Sequence, residues 1–120
     1  MIYHITKGLD LLHRNKVLHR DLKSANIFIN DSTYKIGDLN VSKVINDQKL
    51  VKTQTGTPYY ASPEVWRDES YGQPSDVWSM GCIFYEVCAL KPPFSGDSLD
   101  DLFRSVQRGK YQPISNKYSP

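Results

Sequence analysis

Within eight residues, His19-Arg20-Asp21-Leu22-Lys23-Ser24-Ala25-Asn26, the chain sets a carboxylate, an ammonium and an amide close together. A carboxylate can take a proton from a hydroxyl, and an ammonium can neutralise negative charge as it develops. An amide oxygen is a ligand for a hard cation. Twelve residues past Asn26, Asp38-Leu39-Asn40 offers a second oxygen ligand of that kind. Alone, a His-Arg-Asp triplet or an Asp-Leu-Asn turn reads as a loop of hydrogen-bonded polar residues. The full eight-residue pattern, followed by the apolar run Ile27-Phe28-Ile29, is a far narrower signal.

The segment fits H-R-D-L-x-x-x-N at every fixed position and so resembles the catalytic loop of protein kinases. The resemblance implies that Asp21 aligns an incoming hydroxyl and accepts its proton. Lys23 then supplies positive charge to the transferred phosphoryl group and the nucleotide. Asn26, five residues past Asp21, turns back to hold magnesium on the phosphates of ATP. Asp38 is implied as the second magnesium ligand, and Phe28 as a nucleotide-side residue. Leu39 is expected to pack inward. Asn40 stands where the family has Gly, and Asn is among the few residues that tolerate positive φ.

Two more segments carry the resemblance. Gly56-Thr57-Pro58-Tyr59-Tyr60-Ala61-Ser62-Pro63-Glu64 looks like the A-P-E segment that closes a kinase activation loop, with Ser62 in place of Ala. There Thr57 is implied to hydrogen-bond near Asp21 and Lys23, a mark of Ser/Thr specificity. Glu64 is implied to pair with an Arg farther along the domain, beyond Pro120. Asp76-Val77-Trp78-Ser79-Met80-Gly81 matches the D-x-W-S-x-G opening of a buried central helix. Its Asp76 is implied to hold the backbone at His19 and Arg20, which makes His19, like Leu39, an internal packing post.

Finer features resemble the NIMA-related kinases: Gly56-Thr57-Pro58-Tyr59-Tyr60, Leu39 in the Asp38 motif, and Asn26-Ile27-Phe28. That likeness implies Thr53 as an activating phosphosite, its phosphate taken by Arg20 and Lys43. The plainer reading of Thr53 and Thr55 is solvated loop hydroxyls. Cilia and microtubules are familiar settings for this family, and nothing in the residues reports them directly.

Several elements must position these groups. Ile2, Ile5, Leu9 and Leu12 recur at helical spacing, which predicts an amphipathic helix over 2–15. Residues 27–29 and 33–36 read as strands joined by Asn30-Asp31-Ser32. Residues 42–54 are polar and weakly periodic, as in a loop. A helix is predicted over 75–90, with Ser75 as its N-cap and Asp76 in the first turn. Val77, Trp78, Met80, Ile83, Phe84, Val87 and Cys88 surround it with apolar groups, so it must be buried. A last helix runs from Leu99 to Arg108, capped by Ser98 and stopped by Gly109, with Leu99, Leu102, Phe103 and Val106 as its stripe.

Composition sets the outer limits. The 120 residues carry a net charge of +2, too small and too scattered an excess to argue for nucleic acid or an anionic membrane. No run of eighteen apolar residues is present to span a bilayer. Cys82 and Cys88 read as reduced core residues of an intracellular, cytoplasmic protein, and neither belongs to a CxxC. The glycines at 8, 37, 56, 72, 81, 96 and 109 form no G-x-G-x-x-G, and no strand lysine of the V-A-I-K kind occurs.

The expectation is therefore an α+β fold over 1–120: a partial kinase domain, mostly the helical C-terminal lobe, with a small hairpin beside the catalytic loop. The N-terminal lobe and the end of the C-terminal lobe are expected to be missing. By itself such a chain is expected to have no significant kinase activity; its parent would phosphorylate Ser/Thr of protein substrates with ATP and magnesium. The alternative is an inactive lobe that binds protein partners, for instance through the helix at 98–109. The oligomeric state is open.

Overall fold

The structure is a computed structural model that describes residues 1–39, 43–44 (backbone), 58–116 and 118. Its elements are α1 (Ile2–Arg14), β1 (Val17–Leu18), a single 3-10 turn (Ser24–Asn26), β2 (Ile27–Asn30), β3 (Thr33–Ile36), β4 (Lys43–Val44), α2 (Pro63–Trp66), α3 (Gln73–Ala89) and α4 (Leu99–Arg108). Helices and a small antiparallel hairpin make this a mixed α and β arrangement. Among the described residues no helix is long and apolar enough to cross a membrane.

Helix α1 buries Ile5 and Leu9, whereas Ile2 at its start is exposed. Asn15 ends the helix by donating from its side chain to the Leu11 carbonyl, and Lys16 leaves with φ 57°. The chain then enters β1. Neither strand was expected, β4 falling within the 42–54 stretch read as loop. They pair antiparallel, Val17 with Val44 and Leu18 with Lys43. Two residues per strand give too little alternation for a periodicity argument to find. The hairpin of β2 and β3 is as expected, with Ile27 opposite Ile36 and Asn30 opposite Thr33. Its turn rests on Asp31 at φ 52°, a conformation Asp tolerates better than most residues.

Helix α3 divides the core. On one side Cys82 meets Phe94, Leu102 and Val106, with Trp66, Trp78, Tyr59 and Tyr60 against them. On another side Ile83 meets Leu9 and Leu22, with Ile27, Ile36, Met80, Phe84 and Tyr60 around them. Two clusters on different faces explain why apolar residues nearly encircle this helix. The encirclement is incomplete, since Val77 and Val87 are exposed. Burial pushes the Cys82 thiol up to about 12, with a smaller push from Glu86, so it stays an inert thiol.

The start of α3 departs from expectation. The N-cap is Gly72, and Ser75 lies one turn in, where its Oγ accepts the Gly72 N–H at 3.4 Å. Pro74, pre-set for a first helical turn, extends the helix backward from Ser75. Helix α2 was not anticipated, since four residues are too short for a periodic stripe.

Helix α4 follows expectation at both ends. Ser98 Oγ accepts the Asp101 N–H at 3.1 Å, and Gly109 closes the helix with φ 62°. Leu102 and Val106 are buried, whereas Leu99 is exposed and falls outside the stripe. The loop before the helix lies hard against it. A Cβ on Gly96 would come 2.4 Å from the Leu102 nitrogen and 2.7 Å from the Asp101 carbonyl carbon. Because both obstacles are backbone, Gly96→Ala should lower stability by about 1–3 kcal/mol. Urea unfolding followed by circular dichroism measures this, and an unchanged midpoint would mean the loop can lift away freely.

Candidate active site

The site is built outward from Asp76, whose side chain is 0% exposed. Its Oδ2 accepts the backbone N–H of His19 at 2.9 Å, and its Oδ1 accepts that of Arg20 at 3.0 Å. His13, near the end of α1, places Nε2 2.8 Å from Oδ2, and the Tyr71 hydroxyl donates to Oδ1. Four donors thus converge on one buried carboxylate, which is what a charge without water requires. Two of these contacts tie the backbone at His19 and Arg20 to α3. Arg20 passes the carboxylate with φ 73°.

His19 is equally buried and is held at both ring nitrogens. Nδ1 accepts the Asp21 N–H at 3.3 Å, so Nε2 carries the proton and donates to the Gly37 carbonyl at 2.9 Å. Gly37 in turn donates its N–H to the Asn26 carbonyl at 2.9 Å. These bonds join the catalytic-loop segment to the residue just before Asp38. His19 is thus buried with both ring nitrogens engaged.

Asp21, Lys23 and Asn26 come together on this support. Lys23 Nζ is 3.0 Å from Asp21 Oδ2. Asn26 is buried, and its Nδ2 donates to the Asp21 carbonyl at 2.8 Å and more weakly to Asp21 Oδ2 at 3.3 Å. With the nitrogen end of its amide engaged, Asn26 has its oxygen end left for a cation. Asp38 is exposed and sits at φ 57°. An amide oxygen and an exposed carboxylate on adjoining segments fit a magnesium ion that takes its other oxygens from phosphates and water. Among the described residues no group of three or more His, Cys, Asp or Glu could hold a metal ion by itself.

Phe28 lies with its ring close to Gly37 and is 53% exposed. Leu39 does not pack inward: it is 49% exposed, because the described residues bring no cover over it. Glu64 takes a nearer partner than the distant Arg that was anticipated, accepting the Ser75 Oγ–H at 2.6 Å. Thr53, Thr55, Thr57 and Asn40 lie outside the described residues. Lys43 enters only through its backbone in β4.

Four participants besides the acceptor Glu86 were not anticipated. Ser24 and Tyr60 share a 2.8 Å hydrogen bond, and the Tyr60 hydroxyl donates to Glu86 Oε2 at 2.7 Å. Because Tyr60 spends its proton on Glu86, Ser24 is the donor to Tyr60. Burial raises the Tyr60 phenol above its ordinary value, and Glu86 adds to this against the opposing hydrogen bond from Ser24. His13 is the third, and it had a legible signal: it falls four residues after Leu9, on the buried face of α1. Tyr71 is the fourth.

Two outcomes follow from these contacts. Asp76→Ala leaves the His19 and Arg20 N–H groups, His13 and Tyr71 without their shared acceptor, so it should cost about 3–5 kcal/mol. A loss below about 1 kcal/mol in urea unfolding would show that water replaces the carboxylate easily. Glu64 gives a pH test. Burial pushes its carboxyl up, but the Ser75 hydroxyl, its own backbone and Arg67 outweigh this and hold it below the ordinary value. The ionised form therefore stabilises the fold above the ordinary glutamate range, and that contribution is lost as pH falls through the lowered value. Wild type should be more stable than Glu64→Gln at pH 7, and acidification should close the gap.

Comparison with known proteins agrees with this geometry. The protein kinase domain family matches residues 1–119. Serine/threonine-protein kinase Nek5 of Homo sapiens is 42% identical over 118 residues, covering 96% of this chain and 17% of its own length. Serine/threonine-protein kinase Nek2 of Homo sapiens is 43% identical over 122 residues, covering 96% of this chain and 27% of its own. The G2-specific protein kinase nim-1 of Neurospora crassa is 43% identical over 104 residues, covering 86% and 12%. The chain thus spans less than a third of each of these relatives. It belongs to the protein kinase family, and within that family it is similar to the NIMA-related serine/threonine kinases.

Proposed function

We propose that this chain is the core of the C-terminal lobe of a longer kinase, a partial domain over 1–120 that transfers the γ-phosphoryl group of ATP to Ser/Thr hydroxyls of proteins. The observation that carries this reading is the meeting of Asp21, Lys23 and Asn26 on a loop pinned by buried Asp76. Phosphoryl transfer asks a protein mainly for positioning and for charge placed where charge develops. A pinned loop meets the first demand, and the Lys23 ammonium the second.

In this reading Asp21 aligns the substrate hydroxyl and takes its proton. The hydroxyl oxygen bonds to the γ-phosphorus as the bond to the bridging oxygen breaks, and ADP leaves. Lys23, its ammonium 3.0 Å from Asp21 Oδ2, gives its charge to the transferred group. Asn26 Oδ1 and the Asp38 carboxylate would hold magnesium, which supplies neutralisation of the phosphates. Phe28, half exposed beside Gly37, would lie on the nucleotide side. Thr57 would hydrogen-bond near Asp21 and Lys23. Phosphate on Thr53 would be held by Arg20 and Lys43 and would order the activation segment. ATP chemistry and two free cysteines suit an intracellular, cytoplasmic setting.

The test is phosphate transfer from labelled ATP to a generic protein substrate. The full-length protein with magnesium should label the substrate, and Asp21→Asn should abolish that label. Label unaffected by Asp21→Asn would overturn the assignment of Asp21. The 120-residue chain by itself is expected to give no significant label. Clear turnover by it, abolished by the same substitution, would sink the partial-domain part of the reading.

A further inference from the structure

Tyr71 has no place in the catalytic scheme, yet it reaches Arg20 by two routes, one through Asp76 and one direct. Its hydroxyl donates to Asp76 Oδ1, the same oxygen that accepts the Arg20 N–H at 3.0 Å. Its ring lies against the Arg20 guanidinium, 5.6 Å from centroid to Cζ. We propose that Tyr71 is a positioning residue for phosphoryl transfer, acting on Asp21 through Arg20.

The physical case begins with the backbone. Arg20 has φ 73°, a conformation that residues with a Cβ avoid unless their surroundings hold them there. Asp21 is the next residue, so the torsions at Arg20 set the direction of its carboxylate. Tyr71 braces Arg20 from both ends, fixing the orientation of the shared Asp76 oxygen and offering a ring face to the cation. Burial, followed by the negative charge of Asp76, drives the Tyr71 phenol well above its ordinary range. The hydroxyl therefore keeps its proton and remains a donor.

The kinetic arm of the test rests on the reading given under Proposed function; the exchange arm does not. In the full-length protein, Tyr71→Leu removes ring and hydroxyl, and Tyr71→Phe removes only the hydroxyl. Amide hydrogen exchange of Arg20 and Asp21 should quicken about tenfold in Tyr71→Leu and less in Tyr71→Phe. The kcat should fall about tenfold in Tyr71→Leu, with KM for ATP and peptide held within about twofold, and Tyr71→Phe should recover most of it. Adding Tyr71→Leu to Arg20→Gln should cost little beyond Arg20→Gln alone, because Tyr71 acts through Arg20. Unchanged exchange in Tyr71→Leu, or losses that multiply with Arg20→Gln, would overturn the proposal. If Tyr71→Leu does not fold, exchange in Tyr71→Phe decides, and wild-type rates there would count against it. If wild type transfers no phosphate, the catalytic reading fails while the exchange arm still tests Tyr71.

Discussion

A carboxylate held out of water cannot be left short of donors, and Asp76 draws its four from three separate parts of the chain. Two come from the backbone at His19 and Arg20, one from His13 in α1, and one from Tyr71 ahead of α3. Each donor fixes its own segment relative to the helix that carries Asp76. A single ionic centre therefore sets where α1, the catalytic-loop segment and the start of α3 lie with respect to one another. The apolar packing of Leu9, Leu22 and Ile83 works on the same three segments, but it is less directional.

From that centre the order runs outward through hydrogen bonds. His19 bridges Asp21 and Gly37, and Gly37 returns to Asn26. Asp21, Asn26 and the approach to Asp38 are thereby tied by hydrogen bonds, whatever their depth. A second chain of bonds, from Ser24 through Tyr60 to Glu86, ties the outer end of the same loop to the last turn of α3. Tyr60 also packs on both apolar clusters, so its ring serves the fold while its hydroxyl serves the loop. The loop is anchored at both ends to one helix, and α3 is the reference frame for the site.

Much of this could be read in the sequence because it depends on residue type at fixed spacing. Asp21, Lys23 and Asn26 lie within six positions on one loop, and the structure brings them together. The hairpin and α4 declared themselves by alternation, capping and a terminal Gly. The helix boundary at Gln73 did not, because Ser75 is a good cap residue by type and local rules cannot see that its oxygen serves Gly72 and Glu64 at once. The β1–β4 pairing was illegible for a different reason: it joins two short segments far apart in sequence, with no pattern internal to either. Leu39 shows the limit of reading burial from residue type, since hydrophobicity says that a side chain would gain from cover without saying where cover exists.

Buried polar contacts were the hardest to foresee and bear most directly on mechanism. His13, Tyr60 and Tyr71 look like ordinary amphipathic side chains in sequence, with apolar bodies that fit any core. Each has a polar tip that found a partner, 63, 26 and 5 residues away in turn, as the buried end of such a side chain must. The carboxylates they serve, Glu86 and Asp76, both lie on α3. A central helix with apolar residues on several faces carries both acids, Asp76 taking donors directly from the loop that holds Asp21 and Glu86 reaching that loop through Tyr60. The same helix thus supplies hydrophobic depth and directional control, so a change meant to alter only its packing would also disturb the geometry at Asp21.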